Sequence, residues 1–303
     1  MVYSQYFRGK IRSISGDFAI IKKTNIMRKI VIVAVAALLL TACAESNDSA
    51  RNETTQVTVN FTPYGIEQMT RAAVSIADYC TKLDIWIYED GAEVASFQQE
   101  AGSEGFGSVN LTLNITKSYT IYAVGHRVAD GHASLADNII TFPADKVTHT
   151  FFVKQSFTPT KGMSLNLTMQ RIVAQFSFNT TDQVPEWCKA IRLTVSNVFD
   201  RWNVNSGGVH QIDRVTTINL TSLKDDGTVT CNIYAIVTDE STNHDILVEG
   251  LDANGEVQES HLFEDVPLRN NYRTIAIGVF FSNAASSFSF LAEDWTGNIA
   301  YDF

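Results

Sequence analysis

The chain has no C-x-x-C pair: its four cysteines, Cys43, Cys80, Cys188 and Cys231, lie far apart, which removes zinc-ribbon and thioredoxin-type readings. It carries neither the G-x-S-x-G elbow of a serine hydrolase nor the G-x-x-x-x-G-K-[ST] loop that cradles nucleotide phosphates. A glycine-rich stretch at 102–108 leads into a strand-like pattern, so no helix dipole stands behind it to hold a phosphate. Helical periodicity is nearly missing; only 130–138 and 182–189 leave room for a turn or two. His126 and His132 flank Gly131 near Asp130, yet no further ligand supports them, and they read as surface residues with no metal between them. Asp252, Asn254 and Glu256 alternate as in a calcium loop but lack its terminal bidentate glutamate, so a hairpin explains them better. No catalytic residue, metal or cofactor is expected, and the chain reads as no enzyme.

What is present begins with a targeting signal. Arg28 and Lys29 precede an uncharged apolar run over 30–40, the pattern of a signal-peptide core. That run is too short to span a bilayer, which takes roughly 20 apolar residues. Leu40-Thr41-Ala42-Cys43 follows it and resembles the bacterial lipobox, which implies that residues 1–42 are removed and that Cys43 is the lipidated new N-terminus. Several acyl chains at about 0.8 kcal/mol per buried CH₂ would attach the protein stably without a span. Residues 1–26 are either a long discarded leader or lie upstream of a true start at Met27; for the mature protein the two are equivalent. Residues 43–55 are polar and read as a flexible lipidated tether, within which Asp48-Ser49-Ala50 resembles a short O-glycosylation motif of the Bacteroides group. Taking the seven basic residues and one acidic residue of 1–42 from the totals of 23 and 33 leaves 16 basic against 32 acidic, a net of −16. Such a surface does not hold nucleic acid, which calls for a basic patch or stripe.

From Gln56 onward the dominant signal is period two. Val57, Val59 and Phe61 alternate with polar residues, as do Leu83, Ile85 and Ile87, then Val109, Leu111 and Leu113, and Met163, Leu165 and Leu167. Phe176 and Phe178, Ile191 to Val195, and Cys231 to Val237 continue the pattern. Alternation of this kind places one face on a core and the other in water. Glu89-Asp90-Gly91, Asp225-Asp226-Gly227 and Ala253-Asn254-Gly255 supply the positive φ of tight hairpins. The class is all-β, built as antiparallel sandwiches. Pro159 and Gly162 interrupt the strands and suggest two domains, 56–160 and 161–303. Cys188 and Cys231 fall in the second, where a disulfide between them and a pair of buried free thiols are both open. The Asn-x-Ser/Thr sequons at Asn60, Asn110, Asn114 and Asn166 carry no meaning behind a bacterial lipobox.

Four stretches carry a family resemblance. Met69-Thr70-Arg71-Ala72, the strand and hairpin at 83–91, Leu167 to Phe176 with its Arg171, and Leu268 to Thr274 are similar, in order, to elements of the Bacteroides-group fimbrillin-like superfamily. The resemblance spans nearly the whole mature chain. It implies two tandem transthyretin-like β-sandwiches in a type V fimbrial protein, exported to the outer membrane as a surface-exposed lipoprotein. Partners would be other fimbrial subunits joined by β-strand donation, the outer membrane through Cys43, and a host or bacterial surface ligand. In stalk subunits of that family an arginine-specific protease removes the first strand; the matching position here is Arg71, which otherwise reads as a surface arginine in a connecting segment. The alternation of Ile299, Tyr301 and Phe303 fits either a donor strand or an ordinary last strand. Another class of function, a glycan-binding lipoprotein of a nutrient-uptake system, would need an exposed aromatic platform; Trp202 is its candidate, while Trp86 and Trp187 read as core or boundary residues.

Overall fold

The computed structural model describes residues 53–64, 75–220, 227–282 and 288–294. The first half of the chain forms β1 (Thr54–Pro63), β2 (Lys82–Glu89), β3 (Ala92–Glu100), β4 (Ser108–Asn114), β5 (Tyr119–His126), β6 (Ser134–Ala136), β7 (Ile139–Thr141), β8 (Phe151–Phe157) and β9 (Met163–Arg171). The second forms β10 (Ala174–Thr180), β11 (Ala190–Asn203), β12 (Gly207–Asn219), β13 (Thr230–Ala235), β14 (Thr242–Leu251), β15 (Val257–Leu268), β16 (Tyr272–Gly278) and β17 (Phe288–Asp294). Among the described residues the only helical elements are two single 3-10 turns, Ile76–Asp78 and Pro143–Asp145. Where 130–138 left room for a helical turn the chain makes β6, and 182–189 is an irregular connection.

Seven strands of the first half make one sheet in the order β3-β2-β5-β8-β9-β1-β4, antiparallel throughout except for β1 with β9. β8 and β9 share only the pairs Phe151↔Arg171 and Phe152↔Gln170, so the sheet turns a corner there and brings its two arms face to face. Their inward alternates meet in the first core: Leu83, Ile85 and Ile121 from one arm, Val57, Val59 and Met169 from the other. The second core lies between the sheet β13-β10-β16-β17 and the sheet containing β15, β14 and β11, with β12 paired to β11. Phe176, Phe178 and Ile233 meet Leu193, Val248 and Phe263 there.

Two features tie the halves together. Pro159 and Gly162, whose punctuation suggested a domain boundary, belong to the β8–β9 turn, in which Met163 N–H donates to the Thr160 carbonyl at 3.1 Å. β9 lies in the first core, and the chain crosses to the second at residues 172–174, beyond the 160/161 division read from the sequence. In the other direction, β7 pairs Ile139, Ile140 and Thr141 with Asn203, Trp202 and Arg201 of β11 and sets β6 at the edge of the second half's sheet. The β6–β7 turn has Asp137 and Asn138 both at positive φ, a conformation these two side chains tolerate better than most. Beneath this hairpin a third core joins Trp86 and Val124 of the first half to Ile140, Val173 and Ile236, all at most 7% exposed. The described residues form one compact unit.

His149 lies in this seam. Its ring stands 5.1 Å from that of Phe151, 6.0 Å from Tyr79 and 6.1 Å from Tyr234 of β13, centroid to centroid. Burial first, then the nearby charges of Arg171 and Arg127, hold its pKa well below the usual 6.5. The folded protein keeps His149 neutral where the unfolded chain takes up a proton. Its contribution to stability is therefore complete above about pH 6.5 and is lost progressively as pH falls below that value. Urea unfolding followed from about pH 7.5 to about pH 5 should show stability falling by at most about 1.4 kcal/mol per pH unit from this proton. His149→Phe should flatten that part of the curve.

Candidate assembly site

β1 is an interior strand. It pairs antiparallel with β4 over Thr54 to Asn60 and parallel with β9 over Val57 to Pro63. Val57, Val59 and Phe61 enter the first core and are at most 3% exposed. The opposite face of β1 carries a polar ladder. Gln56 Nε2 donates to Thr112 Oγ1 at 2.7 Å, Thr58 Oγ1 to Asn110 Oδ1 at 2.8 Å, and Asn60 Nδ2 to Asn166 Oδ1 at 3.0 Å. Ser108 Oγ donates to Asn60 Oδ1, also at 3.0 Å. The sequon asparagines Asn60, Asn110 and Asn166 are thus members of one cross-strand row. Arg71 and Cys43 lie outside the described residues, as do 299–303.

β17 is the edge strand of its sheet and pairs with β16 from Gly278↔Phe288 to Tyr272↔Asp294. Arg273 Nε donates to Glu293 Oε1 at 2.8 Å and pins one end of the strand. The side chains of Phe290 and Leu291, which point to opposite faces, are 49% and 51% exposed. Where the chain leaves β16, the Asp182 carboxylate accepts three successive backbone N–H groups, from Phe280 at 3.0 Å, Phe281 at 2.6 Å and Ser282 at 3.0 Å. One half-buried carboxylate thereby fixes the exit point of the chain ahead of its edge strand.

The remaining candidates resolve into structural roles. The glycine-rich loop at 102–108 joins β3 to β4 and is clamped by Gln99, which donates to Ser108 O at 2.8 Å and accepts from Gly107 N–H at 2.9 Å. A Cβ on Gly107 would stand 2.7 Å from Ile76 Cγ2, so glycine is required there. Asp252 accepts backbone N–H groups of Asn254 at 2.8 Å and Glu256 at 3.0 Å, bonds that hold its carboxyl below the usual range and close the hairpin before β15. His126 and His132 are drawn together by Asp84, which pattern reading placed among polar alternates of β2 but which is fully buried. Asp84 Oδ2 lies 3.1 Å from His126 Nε2, and its Oδ1 lies 2.7 Å from His132 Nδ1.

Trp202 does not form an open platform. It is half-buried against Phe152, at 5.7 Å between ring centroids, its Nε1 is buried, and the turn at Gly207 lies against its ring edge. A sugar-stacking face on Trp202 would be narrower than a free-standing aromatic offers. Cys188 and Cys231 stand as free buried thiols of the second core, and Cys80 as a free buried thiol of the first. Trp86 is a core residue, and Trp187 a boundary residue at 36% exposure.

These features define an all-β protein with two sandwich cores, an interior first strand and an exposed apolar edge strand late in the chain. The fold is shared with a candidate adhesin from Bacteroides ovatus at a TM-score of 0.51 and 10% identity, over 78% of this chain and 95% of that one. A candidate polysaccharide-binding protein from Bacteroides thetaiotaomicron gives the same TM-score and identity over 80% and 96%. The fimbrial anchor protein Mfa2 from Porphyromonas gingivalis is a weaker likeness, with a TM-score of 0.48 and 13% identity over 80% and 98%. At such identities the likeness establishes the fold, and that fold agrees with the fimbrillin-like resemblance of the sequence motifs. The chain belongs to a family of unknown function, DUF6562, whose model matches residues 47–302. No functionally curated protein matches it.

The thiols give a direct check on the cores. Burial pushes Cys80 and Cys231 up to about 12 and raises Cys188, so almost no thiolate forms at neutral pH. Iodoacetamide at about pH 8 should leave all three unmodified in the folded protein and alkylate all three in urea without reductant. Labelling of Cys80 alone in urea would instead reveal a Cys188–Cys231 bridge.

Proposed function

We propose that this chain is a structural or adhesive subunit of a cell-surface fimbria, exported behind residues 1–42, anchored in the outer membrane through a lipid on Cys43, and joined to neighbouring subunits by strand exchange. The observation that carries this reading is the position of β1, an interior core strand lying just ahead of the segment that contains Arg71. Cleavage at Arg71 would free β1 from the rest of the chain. Its departure would vacate the places of Val57, Val59 and Phe61 and strip pairing partners from β4 and β9 over seven register positions each. An apolar slot walled by two bare strand edges favours capture of a strand from another chain. β17, apolar and unpaired along one side among the described residues, is of the kind that makes such contacts. With Arg71 intact, β1 fills its own slot and the lipid fixes the subunit at the membrane, the arrangement of an anchor. The fold shared with a Bacteroides adhesin candidate supports a surface role, and a non-enzymatic one.

Mass spectrometry of the mature N-terminus, on protein from its own cells, tests the reading. An acylated start at Cys43 is the outcome expected of an uncut anchor. A start at Ala72 is that expected of a polymerising subunit. An unlipidated start within residues 44–55 would sink both forms. Cys43→Ala should move the protein from the membrane fraction to the soluble fraction.

A further inference from the structure

The outer face of β2 and β5 carries a buried polar cluster that neither sandwich core uses. Asp84 is 0% exposed and both of its carboxylate oxygens are engaged. Besides the two histidines, Oδ2 accepts the Ala133 backbone N–H at 2.8 Å. His126 is also fully buried, and its Nδ1 accepts the Val128 N–H at 3.2 Å, which leaves Nε2–H as its donor to Asp84. His132 reaches from Asp84 on one side toward Glu100 on the other, with Nε2 at 3.5 Å from Oε1, and Lys82 Nζ donates to Glu100 in turn. Arg127 is held from the first half as well, donating to the backbone carbonyls of Tyr79 at 2.8 Å and Asp78 at 2.6 Å.

The contacts of Arg127, Val128, His132 and Ala133 fasten one segment, 127–133, to the first sandwich, and that segment runs directly into β6 at Ser134. The hairpin it delivers makes three register pairs between β6 and β7 and three between β7 and β11, with one further backbone bond from Val204 N–H to Asn138 O at 2.9 Å. A two-stranded hairpin of that length does not sustain itself in water. Its pairing with β11 depends on the hairpin being presented at high local concentration and in one orientation. Ile140 and Phe142 anchor it from below in the third core, and Asp84 holds the chain that leads into it from above.

We propose that Asp84 is the peg of a strap across the two sandwiches: it holds residues 127–133 on the first so that β6–β7 pairs with β11 of the second, and removing the tether releases the strap while both sandwich cores stay folded. Release would bare the β11 edge at Arg201, Trp202 and Asn203 and leave the seam held by the rest of the third core alone. The carboxylate is suited to this because three N–H groups converge on it from two different stretches of chain, and charge-assisted bonds in a buried site are stronger than neutral ones.

Hydrogen exchange on the full-length folded protein tests this. Asp84→Asn removes the charge, and His132→Ala cuts only the loop side chain while leaving Asp84 paired with His126 and Ala133. In each variant the amides of 139–141 and 201–204 should exchange at least about tenfold faster, while those of β1 and β13 keep wild-type protection. If Asp84→Asn does not fold, His132→Ala decides by the same criterion. Unchanged exchange at 139–141 would mean that Ile140 and Phe142 alone hold the strap and would overturn the proposal. Protection lost in step across β1 and β13 would equally overturn it, because Asp84 would then belong to the global fold.

Discussion

The structure depends on hiding the second face of a sheet. The arm β2–β5–β8 buries one set of alternates in the first core, yet its outer set includes Trp86 and Val124, which are as dry as the inner set. A half-buried antiparallel sheet needs only one covered face. This arm has two, and the second is covered by the β6–β7 hairpin, the 172–173 crossing and Ile236 of the far half. The third core is therefore what makes two sandwiches one unit. His149, Arg171 and the Asp84 cluster are among the buried polar groups in and around that seam: His149 is held neutral, Arg171 lies over the Phe151 ring, and Asp84 is hydrogen-bonded.

Strand and hairpin positions were legible in the residues because both signals are local. Alternation is read within a few positions, and Asp90-Gly91 takes positive φ at both residues, as a tight hairpin requires. What escaped was non-local. Nothing within Met163–Arg171 says that it pairs in parallel with a strand more than a hundred residues earlier, so the turn at Pro159 and Gly162 looked like a boundary. The β6–β7 hairpin was invisible for the same reason, and its Asp-Asn turn is a weaker signal than Asn-Gly. Of the site residues, His126 and His132 drew attention as a pair, but the carboxylate that unites them sits 42 and 48 positions upstream. Trp202 reads as a surface aromatic in sequence and is half-covered because Phe152 of the other half and the Gly207 turn pack against it.

In the function proposed above, attachment and assembly would draw on different parts of the chain. A lipid on Cys43 would require nothing from the fold beyond a tether, whereas exchange of β1 would draw on the first core, on the edges of β4 and β9 and on a cut outside the strand itself. On the proposed reading the two are physically separable, and one fold would suit an anchored or an assembling subunit according to whether its first strand stays.

The polar ladder on β1 has a bearing on how faithfully that strand can be placed. A slip of one residue would turn Val57, Val59 and Phe61 outward and be rejected by the core. A slip of two would keep the apolar side chains on the core side, where only the mismatch in size between phenylalanine and valine would register it. It would, however, set Gln56, Thr58 and Asn60 against the wrong members of the row formed by Thr112, Asn110 and Asn166. The oily face checks odd errors and the wet face checks even ones, so the strand carries a two-sided parity code for its own alignment.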